Sequence, residues 1–507
     1  MANATPPSFG ERMIEPVTNI SDFIWGGTWN GEAVIPFPPL AIILLGIGLW
    51  FMVGLRFYPI VKLWSSITGL FAGRKGQGAG EISPFAALST ALSGQVGTGN
   101  LAGVATAIAL GGPGAIFWMW ITALFGMALA FAEGSLAIRY REKTSDGVYR
   151  GGPMSYIMMG LGPKFTWLAV VFCLGTLFSA LVTGNSIQAN AMADGMNELF
   201  GMPEWLGGLL TAAIVFIVII GGIKSIGNVA EKIVPFMAAT YIVMAVIALI
   251  LNFGDLGETF ALIFNGAFNP QSAVGGFTGA AIIMAIRAGV ARGLFSNEAG
   301  QGSTPIAHAV AQTDDPELQG RMAMLGTFID TIVICTMTAL VILTVRGDFT
   351  AGGEAVAHAW QSDRVGFEMT SGAFAAAFPF EIASIPIGTL IASIALILFV
   401  FTTLLTWSYY GERAITFIYD RIKGSTRSGE KKLHMAWRVL WCLVIFLGAA
   451  QPSELVWRLG DISNAAMALP NLLALALLSG VVFKLARGER KAGPDHTADT
   501  PEEPEEY

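Results

Sequence analysis

The sequence is poor in charge. Of 507 residues only 13% are Asp, Glu, Lys or Arg, about half the share usual in a soluble globular protein. Histidine occurs four times (His308, His358, His434 and His496) and cysteine three times. No HExxH zinc motif is present, and no Gly-Lys pair could form a phosphate-binding loop; these absences remove zinc-protease chemistry and an ATP-driven pump within this chain. Cys173, Cys335 and Cys442 all fall in apolar runs and read as small buried hydrophobes, not as a disulfide framework or a metal site. No basic stretch is interleaved with aromatics, and the net charge of −7 owes much to the acidic end TADTPEEPEEY, residues 497–507, so nucleic-acid binding is not expected. The first 36 residues hold Glu11, Glu15, Asp22 and Glu32 against a single Arg12, the wrong charge pattern for a cleavable signal peptide. The first apolar run is expected to stay as an anchor.

Apolar residues and glycine fill the chain instead. Hydrophobic types make up 54% of it, glycine supplies 61 residues, and mean hydropathy is +0.61. Glycine enrichment suits helices packed closely in lipid, so the fold class expected is an all-α polytopic membrane protein. A helical span needs about 20 apolar residues. Eleven transmembrane helices are therefore predicted, near residues 38–60, 84–111, 113–138, 165–192, 205–223, 233–252, 274–311, 322–345, 384–410, 434–450 and 464–484. Lysine and arginine gather on the cytoplasmic side of such proteins. If the loops after helices 1, 3, 5, 7, 9 and 11 face inward, they collect most of the 29, and only Arg12, Arg346, Arg364 and Arg458 lie opposite. The N-terminus is then outside and the C-terminus cytoplasmic. The outer segment 347–383, with His358, Trp360, Arg364 and Phe367, reads as a cap of short amphipathic pieces that could act as a lid.

Two predicted spans are interrupted. SGQVGTGNLAG (Ser93 to Gly103) and RGLFSNEAGQGSTP (Arg292 to Pro305) are polar and glycine-rich between apolar flanks. Glycine costs roughly 1 kcal/mol per helix position relative to alanine, and Pro305 removes a backbone donor, so both helices are expected to break at mid-membrane. Irregular backbone at that depth survives only where protein buries it or a cavity wets it. Interrupted helices at corresponding places of two halves point to the site of a secondary transporter. Five spans follow from each break, helices 2–6 and 7–11; five being odd, the second set inserts inverted, with helix 1 as an addition. Freed amides at a half-helix N-terminus attract a carboxylate, and freed carbonyls attract Na⁺ or an ammonium group. An α-amino acid fits both ends. Ser93, Gln95, Thr98 and Asn100 in the first break and Ser296, Asn297, Glu298, Gln301 and Ser303 in the second supply further donors and acceptors; a hinge or close helix packing is the bland alternative. In helix 9, Thr402, Thr403 and Thr406 either complete an oxygen shell for Na⁺ or bond their own helix. Among the intramembrane charges, Glu298 is expected near the ligand or paired with Arg292. Arg287, Glu133 and Asp330 are expected in structural pairings or a wet vestibule, Glu133 close enough to the cytoplasmic end to be interfacial.

At GGPGAIFWMWITALFG (Gly111 to Gly126) the sequence resembles the signature of the alanine or glycine:cation symporter family, the sodium:alanine symporters. The resemblance continues in SGQVGTGNLAG, in YRGGPMSYI (Tyr149 to Ile157), in RGLFSNEAGQGSTPIAHA (Arg292 to Ala309) and in TTLLTWSYYGE (Thr402 to Glu412). It covers about residues 84 to 412 and leaves out the first 36 residues and the acidic tail. It implies a LeuT-like fold and Na⁺-driven uptake of small neutral amino acids, typically alanine or glycine. Carried over by motif, substrate would meet Gly94, Gln95, Val96, Gly97, Thr98, Gly99 and Asn100, and Phe295, Ser296, Asn297 and Glu298. The coupling ion, Na⁺, would sit near Ser93 and Val96 with Thr402 and Thr403. FWMW itself reads as packing in helix 3.

The domain reading is an N-terminal extracytoplasmic segment (1–36), an additional first helix with cytoplasmic linker (37–83), two five-helix repeats (84–252 and 274–484, the second carrying the cap) and a disordered cytoplasmic tail (485–507). The function expected is Na⁺-coupled symport by alternating access in a prokaryotic inner membrane, with no covalent chemistry. A proton-coupled carrier, with Glu298 or Asp330 as the protonated group, and a cation channel are the alternatives.

Overall fold

A computed structural model describes residues 9–489, apart from 36, 71–73, 75, 145–146, 269–277, 383, 425–426 and 452, together with 496–497. The large elements are helices. In chain order they are α1 (Phe9–Gly26), α2 (Pro39–Gly54) and α3 (Pro84–Gln95), then α4 (Gly99–Gly111), α5 (Gly114–Arg139) and α6 (Pro163–Phe200). α7 (Glu204–Ile219), α8 (Gly222–Leu251), α9 (Leu256–Phe268), α10 (Thr278–Asn297) and α11 (Thr304–His308) follow. The last six are α12 (Pro316–Thr344), α13 (Gly366–Ala377), α14 (Ile387–Lys423), α15 (Arg427–Gly448), α16 (Ser453–Leu477) and α17 (Ser479–Ala486). The strands are short; the largest pair is an antiparallel hairpin, Arg346–Ala351 with Glu354–His358.

Local chemistry explains several ends. α3 starts where Ser83 accepts from the Ala86 amide at 3.0 Å, with Pro84 in the first turn, and α12 starts at Asp315, which accepts from the Glu317 and Leu318 amides. Both caps satisfy amides that a first turn leaves unpaired. α5, α6, α8, α12 and α14 are long and apolar enough to cross a bilayer, and α16 with α17, bent by 64°, would make a sixth crossing. The chain is thus a multi-pass membrane protein. Of the other apolar runs, two carry shorter helix, α2 and α7 with 16 residues each, one lies in the 22-residue α15, and the two interrupted runs are divided. α9 was not foreseen. It buries Thr259, Ile263 and Ala267, one face at four-residue spacing.

α5 packs on α10, α12 and α2, while α6 packs on α14 and α16, and α3 touches α8, α12 and α14. The FWMW segment packs against α9, Phe117 lying 4.8 Å from Phe268 and 5.7 Å from Phe264 between ring centres. Trp120 donates to Thr336 at 2.8 Å. The cap consists of the hairpin and α13, and Thr370 of α13 donates to the Leu101 carbonyl at 3.0 Å. Of the tail expected over 485–507, residues 485–489 are described, Leu485 and Ala486 closing α17, as are His496–Thr497, which pair with Glu142–Lys143; the rest lies outside the described residues.

Candidate functional site

The expected interruptions are present. The first separates α3 from α4: Val96 turns extended after Gln95, and Gly99–Gly103 continue as a π-helical turn. The second separates α10 from α11, with Glu298, Gly300 and Gly302 at φ of 56°, 82° and 88°. Glycine takes that left-handed geometry without the Cβ clash that other residues meet. Two more π-helical turns, Val182–Ser186 and Phe328–Cys335, lie beside them; such turns re-aim side chains and recur at functional sites.

The breaks bond to each other. Gln95 Nε2 donates to the Asn297 carbonyl at 2.5 Å, and its Oε1 is buried without a hydrogen-bond partner among the described residues. Asn100 Nδ2 and Ser296 Oγ both donate to the Asp330 carboxylate at 2.7 Å, and Thr331 Oγ1 adds a third bond at 2.8 Å. Asn297 Nδ2 meets Thr331 Oγ1 at 3.2 Å. Asn100, Ser296, Asn297 and Asp330 are fully buried. Asp330, expected in a structural pairing or a wet vestibule, joins the two breaks, and the salt bridges among the described residues include none to it. Cys335 is more than a small hydrophobe, its Sγ lying 3.2 Å from Ser296 Oγ.

A second polar cluster lies on the α14 side of the first break. Thr403 Oγ1 donates to the Val96 carbonyl at 3.2 Å. Thr406 bonds Ser93 and the Thr90 carbonyl. Thr98 donates to Gln188 Oε1 at 2.6 Å. A Cβ on Gly97 would come within 2.6 Å of Thr403 Oγ1 and 3.0 Å of Gln188 Oε1, so only glycine lets these oxygens close on the backbone. Thr402 follows the second of its two readings and bonds its own helix: its hydroxyl donates to the Phe399 carbonyl at 3.0 Å and faces Met237 Sδ. Thr403 shares that carbonyl, also at 3.0 Å.

Gln95, Gly99, Asn100, Ser296 and Asn297 therefore meet between the breaks, whereas other expected positions point elsewhere. Gly94 faces Thr406 and Tyr410 of α14. Phe295 lies on Trp457 at 4.8 Å between ring centres while its ring edge borders Gly99 of the first break, where an added Cβ would come within 3.0 Å of its Cδ1. Glu298 accepts from Ser303 at 2.5 Å and from Trp407 Nε1 at 2.9 Å. It makes no pair with Arg292, which instead forms two bonds to Asp461 at 2.8 and 2.7 Å; six positions along a helix leave two side chains about 120° apart, and the left-handed backbone at 298 turns Glu298 further away. Glu133, expected in a structural pairing or a wet vestibule and near enough the cytoplasmic end to be interfacial, is enclosed by protein. It is fully buried and accepts from Asn471 at 2.7 Å, while Asn471 also donates to the Gly300 carbonyl. Asp461, Gln188, Trp407 and Asn471 escaped sequence reading. A small surface pocket lined by residues that include Glu142, Arg150, Met154, Arg413 and Phe417 lies apart from the breaks. Arg150 there pairs with Asp420 at 2.6 Å and Glu142 at 3.3 Å. Among the described residues, no group of three His, Cys, Asp or Glu side chains could hold a metal.

Residues 25–498 match the sodium:alanine symporter family. The chain belongs to that family. It is 41% identical over 469 residues to the sodium/alanine symporter AgcS of Methanococcus maripaludis, a match covering 92% of this chain and 95% of that protein. It is 38% identical over 451 residues to a putative sodium/proton-dependent alanine carrier protein, YrbD, of Bacillus subtilis, covering 88% and 89%. A probable sodium/glutamine symporter, GlnT, also of Bacillus subtilis, is 37% identical over 461 residues, covering 90% and 89%. Among solved structures, MHP1, a nucleobase-cation-symport-1 family transporter in a closed conformation, superposes with a TM-score of 0.50 at 14% identity, covering 81% of this chain and 78% of that one. That likeness concerns the fold alone. A symporter family of this kind makes the protein a transporter, not an enzyme.

Proposed function

We propose that this protein couples an inward Na⁺ gradient to uptake of small neutral amino acids, alanine or glycine, by alternating access. The observation that carries the reading is the pairing of the two breaks: Gln95 to the Asn297 carbonyl, and Asn100 and Ser296 to one Asp330 carboxylate. Half-helix ends at this depth offer amides to a carboxylate and carbonyls to a cation. In this proposal Gln95, Thr98, Gly99, Asn100, Phe295, Ser296 and Asn297 border the substrate, with Gly94 and Glu298 behind them, and the uncompensated Asp330 draws the ammonium group or a cation. Na⁺ binds at the Val96 carbonyl and the Ser93 and Thr403 hydroxyls, Thr402 rotating in to join them.

The architecture proposed is eleven spans: α2 first, then inverted five-helix repeats over 84–252 and 274–484. The N-terminus lies outside a prokaryotic inner membrane and the tail in the cytoplasm. In that orientation the Arg292–Asp461 pair is an outer gate above the breaks, and Arg150 with Asp420 closes the inner side.

The test is radiolabelled L-alanine uptake into proteoliposomes with and without a Na⁺ gradient, at fixed pH and potential, with glycine and serine as competitors. Saturable accumulation that needs Na⁺ supports the reading. Accumulation driven by a proton gradient alone replaces Na⁺ with H⁺, and conduction without substrate rejects a carrier.

A further inference from the structure

The segment before the first span is not a loose leader. Val17, Ser21 and Trp25 recur every four residues and are buried, at 6%, 1% and 2% exposure, so α1 presents one face to α16, with further contacts to α2 and α10. Two of its side chains reach the gate. Trp25 Nε1 donates to the Asp461 carbonyl at 3.1 Å, in the residue whose carboxylate holds Arg292. The Asp22 carboxylate pairs with Arg287 of α10 and, at 3.1 Å, with Arg458 of α16. The Arg287 guanidinium lies close against the chain there, since a Cβ on Gly26 would come within 2.6 Å of its Nη1.

We propose that α1 is an outer latch. Asp22 and Trp25 hold α10 and α16 together above the Arg292–Asp461 pair, and α1 releases them before the outer gate opens; Asp22 is a positioning residue for that gate. The proposal rests on reading Arg292–Asp461 as the outer gate. Opening requires α10, which carries the second break, to part from α16, and a contact made only in the closed state favours that state. When Asp22 leaves, Arg287 and Arg458 face each other as like charges, and their repulsion adds to the opening.

Cys335 supplies the test. In a C173A/C442A background it is the only thiol left of three, and it is buried beside Ser296. Its modification by a membrane-impermeant methanethiosulfonate reagent applied outside therefore follows outward opening. D22N and W25F should label roughly two- to fivefold faster, the range that loss of a partly exposed ion pair commonly produces. D22E should return to the background rate. R458Q, which removes the same bridge from the other side, should accelerate labelling if D22N does not accumulate. The half-saturating external alanine concentration should fall with the labelling shift, because apparent affinity scales with the competent population. If R292Q accelerates labelling while D22N and R458Q do not, the latch is overturned and the gate stands. If R292Q is also without effect, both readings fall.

Discussion

Arg292 and Asp461, 169 positions apart, meet through two hydrogen bonds with side chains only 6% and 10% exposed. The guanidinium also lies 5.0 Å from the Trp457 ring and 5.8 Å from the Phe295 ring. Removing one partner strands the other as a buried charge, which costs about 3–5 kcal/mol. R292A should therefore lose most folded protein or most uptake, and R292K should keep part of both, as read by melting temperature and initial rate. Equal stability of R292A and the parent would show that the pair is solvated and not a gate.

Thr403 and Thr402 both bond the Phe399 carbonyl, but only Thr403 also reaches the Val96 carbonyl. T403A should raise the Na⁺ concentration for half-maximal uptake by about tenfold, about one charge-assisted bond, and T402A should raise it less. Na⁺ titrations at saturating alanine decide. Identical curves for T403A and the parent would remove Thr403 from the ion site.

Asp330 accepts from Asn100, Ser296 and Thr331. An amide in its place cannot accept all three bonds, and an unsatisfied buried partner costs about 1–3 kcal/mol. D330N should raise the half-saturating alanine concentration by roughly five- to a hundredfold on that scale. Uptake and its Na⁺ dependence measured together check this, and parental values for both would return Asp330 to a structural role.

Gly184 lies against the Trp407 ring, where an added Cβ would overlap it. G184A should displace Trp407 and cost about 1–3 kcal/mol, the usual range for overpacking. The smaller ring of W407F should restore part of the melting temperature in the double variant. Additive losses would mean that the two sites do not share a contact.

On the hairpin side, Arg346 donates to the Asp255 carboxylate at 2.9 and 3.0 Å, and this bonding holds Asp255 below the usual carboxylate range. A depressed folded-state pKa contributes stability that is present above the unfolded value, about 4, and lost as pH falls through the folded value. Amide exchange in Arg346–Ala351 should therefore be insensitive to Asp255 between pH 5 and 8 and should rise below about pH 4. D255N should remove that acid step. Protection that falls equally in D255N would assign the step to another group.

The breaks were legible because glycine and polar residues interrupt apolar runs, a violation of pattern that a single chain displays. Which side chains meet across them was not. Asp461 lies within α16, ahead of the apolar run predicted from residue 464, and nothing local marks it as the partner of Arg292. Glu133 looked interfacial from its distance to the helix end; only the packing of Asn471 against the second break shows it buried. α1 escaped notice for another reason. Its buried face is spread over four-residue steps through a polar segment, so no apolar run announces it. The adjacent threonines illustrate a finer limit: both hydroxyls bond the Phe399 carbonyl, and only the packing of α14 on the first break shows that Thr403 alone also reaches the Val96 carbonyl.

Glu298 is a glutamate in left-handed backbone, at φ 56°, a conformation that costs a side chain roughly 1–2 kcal/mol and glycine almost nothing. Its bonds to Ser303 and Trp407 offset that cost by tying α14 to the second break. A glycine at 298 would relax the backbone and cut the tie in the same step. The strain relieved and the bonds lost are of similar size, so thermostability screens on this fold should find little gain at position 298, and a variant there should be read for coupling between α14 and the second break as well as for melting point.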